Sequence, residues 1–152
     1  MRDIDKTVKD ILTPCGFVFK KHSWYRVSDD FINIINFQKS QFSNKFYMNL
    51  GVDERTGQKI KYKPEHLFSV RLRVDMIILD KQLLDALDFE SDCSETSRKE
   101  KLEILSLNGV TFLDSINGWK KIKSAMNSKI HPVHRAFITA SFIKKINGDH
   151  NS

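Results

Sequence analysis

The sequence predicts an α+β fold: an N-terminal helix, a five-stranded antiparallel meander sheet, and C-terminal helices packed on one sheet face. Three observations predict it. Apolar residues near the N-terminus recur at helical spacing, the period drops to two between Phe17 and Met76, and helical spacing returns from Asp80 onward. At 152 residues the chain is expected to form a single domain, 1–152, burying about 68–70% of its unfolded surface.

Each element has its own warrant. Ile4, Val8, Ile11 and Leu12 form one helical stripe, Asp3 and Asp5 sit at the positive helix end, and Pro14 and Gly16 stop the helix. Five runs then read as strands: Phe17–Lys20, Trp24–Val27, Phe31–Gln38, Lys45–Val52 and Leu67–Met76. Hairpin-sized connectors, Lys21-His22-Ser23 and Ser28-Asp29-Asp30, imply antiparallel neighbours, and Asp53–His66 is a longer polar loop. In the last run Phe68, Val70, Leu72, Val74 and Met76 alternate with Ser69, Arg71, Arg73 and Asp75, giving one buried and one polar face. Leu83, Leu84 and Leu87, then Leu102 and Leu105, mark helical pieces, with Asn108-Gly109 read as a stop. A further piece starts at Asp114 or Ser115 and runs through Trp119, Ile122 and Met126. Pro132 suits the first turn of a terminal helix holding Val133, Phe137, Ala140 and Ile143, although Phe137–Ile143 also suits a strand.

Composition excludes several classes. Hydrophobic residues make up 40% and charged residues 29%, with six Gly and three Pro, so the chain is neither collagen-like nor disordered. The formal charge is +6, with seven bases against two acids in residues 104–152, which makes the C-terminal third the basic part. Cys15 and Cys93 lie 78 positions apart without a metal or disulfide spacing, as expected of reduced thiols in a cytoplasmic protein. No signal-peptide pattern follows Met1, and the longest apolar run, Met76 to Leu79, is too short to span a bilayer.

Residues that strands ordinarily avoid concentrate in the predicted sheet. Pleat parity puts Asn36 with Gln38, Tyr47 with Asn49, and Arg71 with Arg73, each set opposite the apolar residues of its own strand. In register, these six form an open surface of amides, a phenol and two guanidinium groups, with Asp75 the one nearby carboxylate. Such a surface suits an anion. A polar outer face that only meets water is the competing reading. Ile32 and Ile34 share the parity of Asn36 and Gln38, so another element is expected to cover part of this surface and half close the groove. Trp24, Tyr25 and Arg26 add aromatics and a cation on a neighbouring strand, as candidate binding residues.

Other constellations are weaker. Lys120, Lys121 and Lys123, followed by Lys129, His131 and Arg135, are candidates for phosphate contact. His131 and His134 have helical i, i+3 spacing but no third ligand, so no metal and no cofactor is implied; His22 and His66 stand alone. Paired-carboxylate, Ser-His-Asp, Gly-x-Ser-x-Gly and Gly-x-x-x-x-Gly-Lys patterns are absent, and no catalytic residue is assigned.

Gly16-Phe17, Lys20-Lys21, Trp24-Tyr25-Arg26, Ile35 to Ser40, Phe46 to Gly51 and Arg71-Leu72-Arg73 follow a series G-F-x-K-K, W-Y-R, I-N-F-Q-K-S, F-Y-x-N-L-G, R-x-R. In this series the chain resembles an uncharacterised bacterial family of unknown function. The resemblance covers roughly residues 1–118, including Gly109 to Asp114, and leaves 119–147 as a helical extension; Val74 stands where the family pattern has Leu. It implies a compact bacterial α+β domain and supplies no reaction. The residues themselves favour a non-enzymatic binding module that holds an anionic or peptide or protein partner on Arg71, Arg73, Asn36, Gln38 and Asn49, of the accessory or immunity type. Net positive charge argues against neutralising a basic nuclease. The alternatives are nucleic-acid binding by the basic C-terminal third with Trp24 and Tyr25, and a small hydrolase or nuclease using His66, or His131 together with His134, with or without a metal.

Overall fold

Asp3–Leu12 forms helix α1, with Ile4, Val8 and Leu12 buried along one stripe. Asp5 is buried on the same side, where its carboxylate accepts from Arg2 Nε at 2.8 Å and from the Trp24 indole at 3.2 Å, so the charge is matched where water is excluded. Backbone N–H groups of Cys15, Gly16 and Phe17 fold back onto Leu12 and Thr13, and Gly16 takes a φ of 92° that closes the turn. The computed structural model describes residues 1–148.

The meander that follows comprises β1 (Val18–Lys20), β2 (Ser23–Val27), β3 (Phe31–Lys39), β4 (Phe46–Glu54) and β5 (Val70–Arg73), all antiparallel and in sequence order. A sixth strand, β6 (Phe137–Ile138), lies beside β5 through Val70↔Ile138 and Arg71↔Phe137. This corrects two expectations at once. The sheet has six strands, and the stretch after Pro132 is a 3₁₀ turn (Pro132–Arg135), a short strand and then helix α5 (Ala140–Asn147). Thr139 caps α5 by accepting from Phe142 N at 3.3 Å, so the helix starts at Ala140 rather than at Pro132.

The fifth strand is also shorter than its alternation predicts. Three-residue 3₁₀ turns, Glu65–Leu67 and Val74–Met76, bracket Val70–Arg73. Phe68 therefore swings to the opposite sheet side, packing with Tyr25, Ile32 and Ile34, and Met76 stays exposed.

On the helix side, Trp24, Ile35, Phe37, Met48, Leu50, Val52, Val70, Leu72 and Val74 join α1 and the C-terminal helices in one core. Helix α2 (Lys81–Leu84) is capped by Asp80, which accepts from Gln82 N at 2.9 Å. Helix α3 (Glu95–Ser115) starts at Ser94 and runs straight through Asn108-Gly109, where the sequence suggested a stop. Gly109 serves approach rather than termination: a Cβ there would stand 2.8 Å from Met48 Cε, so the missing side chain lets α3 lie on β4. Gly118, with φ 138°, makes the turn into α4 (Trp119–Asn127).

Candidate functional site

The side of the sheet facing away from the helices is built in cross-strand rows. Lys20 lies opposite Ser23, Asn36 opposite Asn49, and Asn49 opposite Arg73; the next row brings Val18, Tyr25, Ile34, Gly51, Arg71 and Phe137 together. Gln38 lies opposite Tyr47. Asn36, Gln38, Tyr47, Asn49, Arg71 and Arg73 thus share one face.

Its amides serve one another. Asn36 Nδ2 donates to Ser23 Oγ at 2.8 Å, and Asn49 Nδ2 donates to Gln38 Oε1 at 3.1 Å and Asn36 Oδ1 at 3.4 Å. Asn49 is 4% exposed, and this ladder explains how a strand-averse residue sits there without an unmet bond. The guanidinium groups are less fully served. Arg71 lies 4.5 Å from the Phe137 ring, and its Nε is buried with no hydrogen-bond partner among the described residues. Arg73 is half-exposed, lies 5.1 Å from the Tyr47 ring and pairs with Asp75 Oδ2 at 3.2 Å, while Lys45 Nζ lies 5.7 Å from the same ring. Burial raises the Glu65 carboxyl above its ordinary pKa, against the opposing pull of Arg71 and His66.

Beyond Arg73 the sheet changes outline. β5 pairs with β4 over Asn49–Val52 only, so Phe46, Tyr47 and Met48 extend past the strand beside them until the isolated Lys45↔Asp88 bridge. A cleft of about 270 Å³ occupies that berth. Phe46, Met48, Val74, Leu84 and Leu87 give it apolar walls, and Lys45, Arg73 and Lys81 bring cations. Three acids, Asp75, Asp85 and Asp88, line it as well; Asp75 is paired with Arg73, and Asp88 accepts from Glu90 N at 2.9 Å.

The other half of this face is covered, as the parity of Ile32 and Ile34 anticipated. The loop from Arg55 to Ser69 lays Ile60, Tyr62 and Phe68 over Tyr25, Ile32 and Ile34, and the Tyr25 hydroxyl donates to Lys63 O at 2.7 Å. Lys63 pairs with Asp53, which also accepts from Ser69 Oγ at 2.8 Å.

Trp24 and Arg26 face away from the six, and Tyr25 shares their face but lies under the covering loop. Trp24 points into the helix-side core, and Tyr25 lies 1% exposed under the loop. Arg26 is spent on structure: Nε donates to Asn33 Oδ1 at 2.9 Å, Nη2 pairs with Asp114 at 2.7 Å, and the guanidinium lies 4.8 Å from the Phe17 ring. A strand that alternates Trp, Tyr, Arg sends the first and third to one side, and that side is the core. Both ring nitrogens of His131 are engaged: Nδ1 accepts from Val133 N at 3.0 Å, so the proton sits on Nε2, which donates to Ser115 Oγ at 2.8 Å. His134 Nε2 donates to Ser128 O at 2.6 Å. Among the described residues no three metal-ligating side chains cluster, and no helix is long and apolar enough to cross a membrane.

Sequence reasoning missed Lys45, Glu65, Lys81 and Phe137 as neighbours of the arginines, because strand ends and a two-residue strand leave no periodic signal. It also passed over the loop at 55–63, where Arg55, Lys59, Lys61 and Lys63 occur without an acid but are flanked by Asp53, Glu54 and Glu65.

No curated protein and no solved structure matches the chain. A family model described as a domain of unknown function, DUF4304, matches residues 8–104, a span that holds the helix-free sheet face from Lys20 to Arg73 and every residue lining the cleft. With more than half of its length matched, the chain belongs to the DUF4304 family.

Proposed function

We propose that the protein is a non-enzymatic binding module that docks an anionic segment of a peptide or protein on the uncovered half of the sheet, with Arg71 and Arg73 holding its carboxylates. The observation that carries this reading is the contrast in hydrogen-bond satisfaction on one face: the amides have bonded among themselves, whereas the buried Arg71 Nε has no partner among the described residues and Arg73 has a half-exposed ion pair with Asp75. An exposed pair of that kind is worth about 0–1 kcal/mol, so an incoming carboxylate displaces it at small cost and gains fork geometry. Asn36, Gln38 and Asn49 fix the floor. The adjoining cleft receives an apolar side chain next to the bound carboxylate, because its walls are largely apolar and Arg73 itself lines it.

The test is a heteronuclear NMR titration with a peptide alternating Glu and Leu, against a control alternating Lys and Leu. The acidic peptide is expected to move the Arg Nε–H and the Asn36 and Asn49 side-chain amide signals. Arg71→Met combined with Arg73→Met is expected to weaken binding at least about tenfold at an unchanged melting temperature. Equal response to the lysine peptide, or shifts confined to other surfaces, would remove the proposal.

A further inference from the structure

The opposite end of the same face carries a different kind of charge. In the loop over the β1–β3 half, Ile60 and Tyr62 point inward onto Tyr25 and Ile34, which turns Lys59 and Lys61 outward at a two-residue spacing, about 6.6 Å in extended chain. Facing them, the β1–β2 turn presents Lys20 and Lys21, and Lys20 Nζ lies 5.4 Å from the Tyr62 ring. All four lysines are exposed, and none forms an ion pair among the described residues. Between turn and loop runs an open groove of about 630 Å³, lined by Lys21, Tyr25, Lys59 to Lys63 and Pro64.

A second observation comes from the turn itself. Lys21 and His22 sit at φ 49° and 66°, the left-handed region that a two-residue hairpin turn demands and that Asn-Gly fills at least cost. The chain keeps a strained turn and thereby keeps a cation at the lip of the groove.

We infer that this groove is a phosphate-tracking site for single-stranded nucleic acid. Lysine is a compact point charge that gains most from dense negative charge, unlike the fork-shaped arginines at the other end of the sheet. A cationic groove with the half-buried Tyr62 ring in its wall matches what a single strand presents, phosphates outside and a base face within, while Tyr25 stays buried beneath it. A lipid surface asks instead for a convex face tipped with apolar groups, and the most exposed apolar side chains, Phe42, Leu79 and Ile130, are not part of this groove. This also moves nucleic-acid contact away from the C-terminal third, where the sequence pointed. The inference is independent of the arginine site, since Lys20 and Arg73 are four strand spacings apart, about 19 Å.

Fluorescence anisotropy with a labelled single-stranded oligothymidylate tests it on the full chain. Four neutralised phosphates predict a slope of log affinity against log salt of about −3. Lys59→Gln with Lys61→Gln is expected to halve that slope and weaken low-salt binding at least about tenfold, while Lys59→Arg with Lys61→Arg restores both. Lys21→Asn with His22→Gly relaxes the turn, so it should raise the melting temperature and still weaken binding, a pairing that a merely structural role does not give. Lys120→Gln with Lys121→Gln on α4 should change nothing. Absence of saturable binding at low salt, equal losses from the α4 variant, or a preference of the same lysines for phosphatidylserine vesicles over the oligonucleotide would each overturn the inference.

Discussion

On the helix side of the sheet, Trp24, Ile35, Leu50 and Leu72 stand in one cross-strand row, each 4% exposed or less. One residue along each strand, facing the other way, the matching row reads Lys20, Ser23, Asn36, Asn49 and Arg73. The two sides share backbone, register and strand length, so what differs is the covering. Helices laid on the first side make it an apolar core. A single loop laid on half of the second seals a small cluster of Tyr25, Ile32, Ile34 and Phe68 and leaves the polar remainder open. The loop's edge, rather than the sheet, decides how much of this side stays open to solvent.

The sharpest way to break this comparison is to hollow both sides. Leu50 and Ile34 are both fully buried, one under α3 and one under the loop. Leu50→Ala is expected to cost about 3–5 kcal/mol, because helices and sheet relax poorly around the void. Ile34→Ala is expected near the lower end of the range, about 2 kcal/mol, because a loop collapses more readily onto a cavity. Urea unfolding of the two variants measures both. Equal losses would mean that the loop is as fixed as the helices, and that the open half of the face is bounded by a rigid wall.

A smaller effect comes from two glycines on opposite sides. A Cβ on Gly51, under the loop, would stand 2.9 Å from Val70 O and 3.0 Å from Ile34 Cγ2, and the first of these is backbone. Gly51→Ala should therefore destabilise by about 1–3 kcal/mol. At Gly109, under α3, the nearest atom is the flexible tip of Met48, and alanine recovers about 1 kcal/mol of helix propensity. Gly109→Ala is expected to be neutral within about 1 kcal/mol. The reverse ranking in thermal unfolding would show that Met48 has no room to yield.

These residues also mark what a sequence can and cannot convey. Pleat parity is a local rule, and it sufficed to place Asn36, Gln38, Tyr47, Asn49, Arg71 and Arg73 on one side and to require a cover over Ile32 and Ile34. Strand ends obey no such rule. The Val70–Arg73 strand stops because 3₁₀ turns bend the chain, although the hydrophobic alternation runs on to Met76. β6 is two residues long: residue type allows a strand from Phe137, but only its partner β5 sets where that strand lies and where it ends. Gly109 reads as a terminator in isolation, because the reason for its small size, the Met48 methyl, is remote in sequence. Arg26 reads as a free cation for the same reason: Asp114 lies 88 residues away.

The smallest expected effect separates the two sides by sign. On the helix side, burial first and the neighbouring His134 second lower the pKa of His131, whose Nδ1 must stay unprotonated to accept from Val133 N. A folded pKa below the unfolded value of 6.5 means that the unfolded chain binds more protons, so this stability is complete above about pH 6.5 and is lost as pH falls through the folded value. On the loop side the raised Glu65 works in reverse, since the folded chain holds the proton longer. Its contribution is present below 4.5 and is lost as pH rises through the folded value. Melting temperatures taken across mildly acidic pH should show the two slopes opposing each other. His131→Asn, which keeps a capping oxygen, should flatten the limb below about pH 6.5, and Glu65→Gln should flatten the one above about 4.5. If His131→Asn left the acid limb untouched, the imidazole cap would not be the group that couples the helix side to protons, and the contrast between the two sides would rest on packing alone.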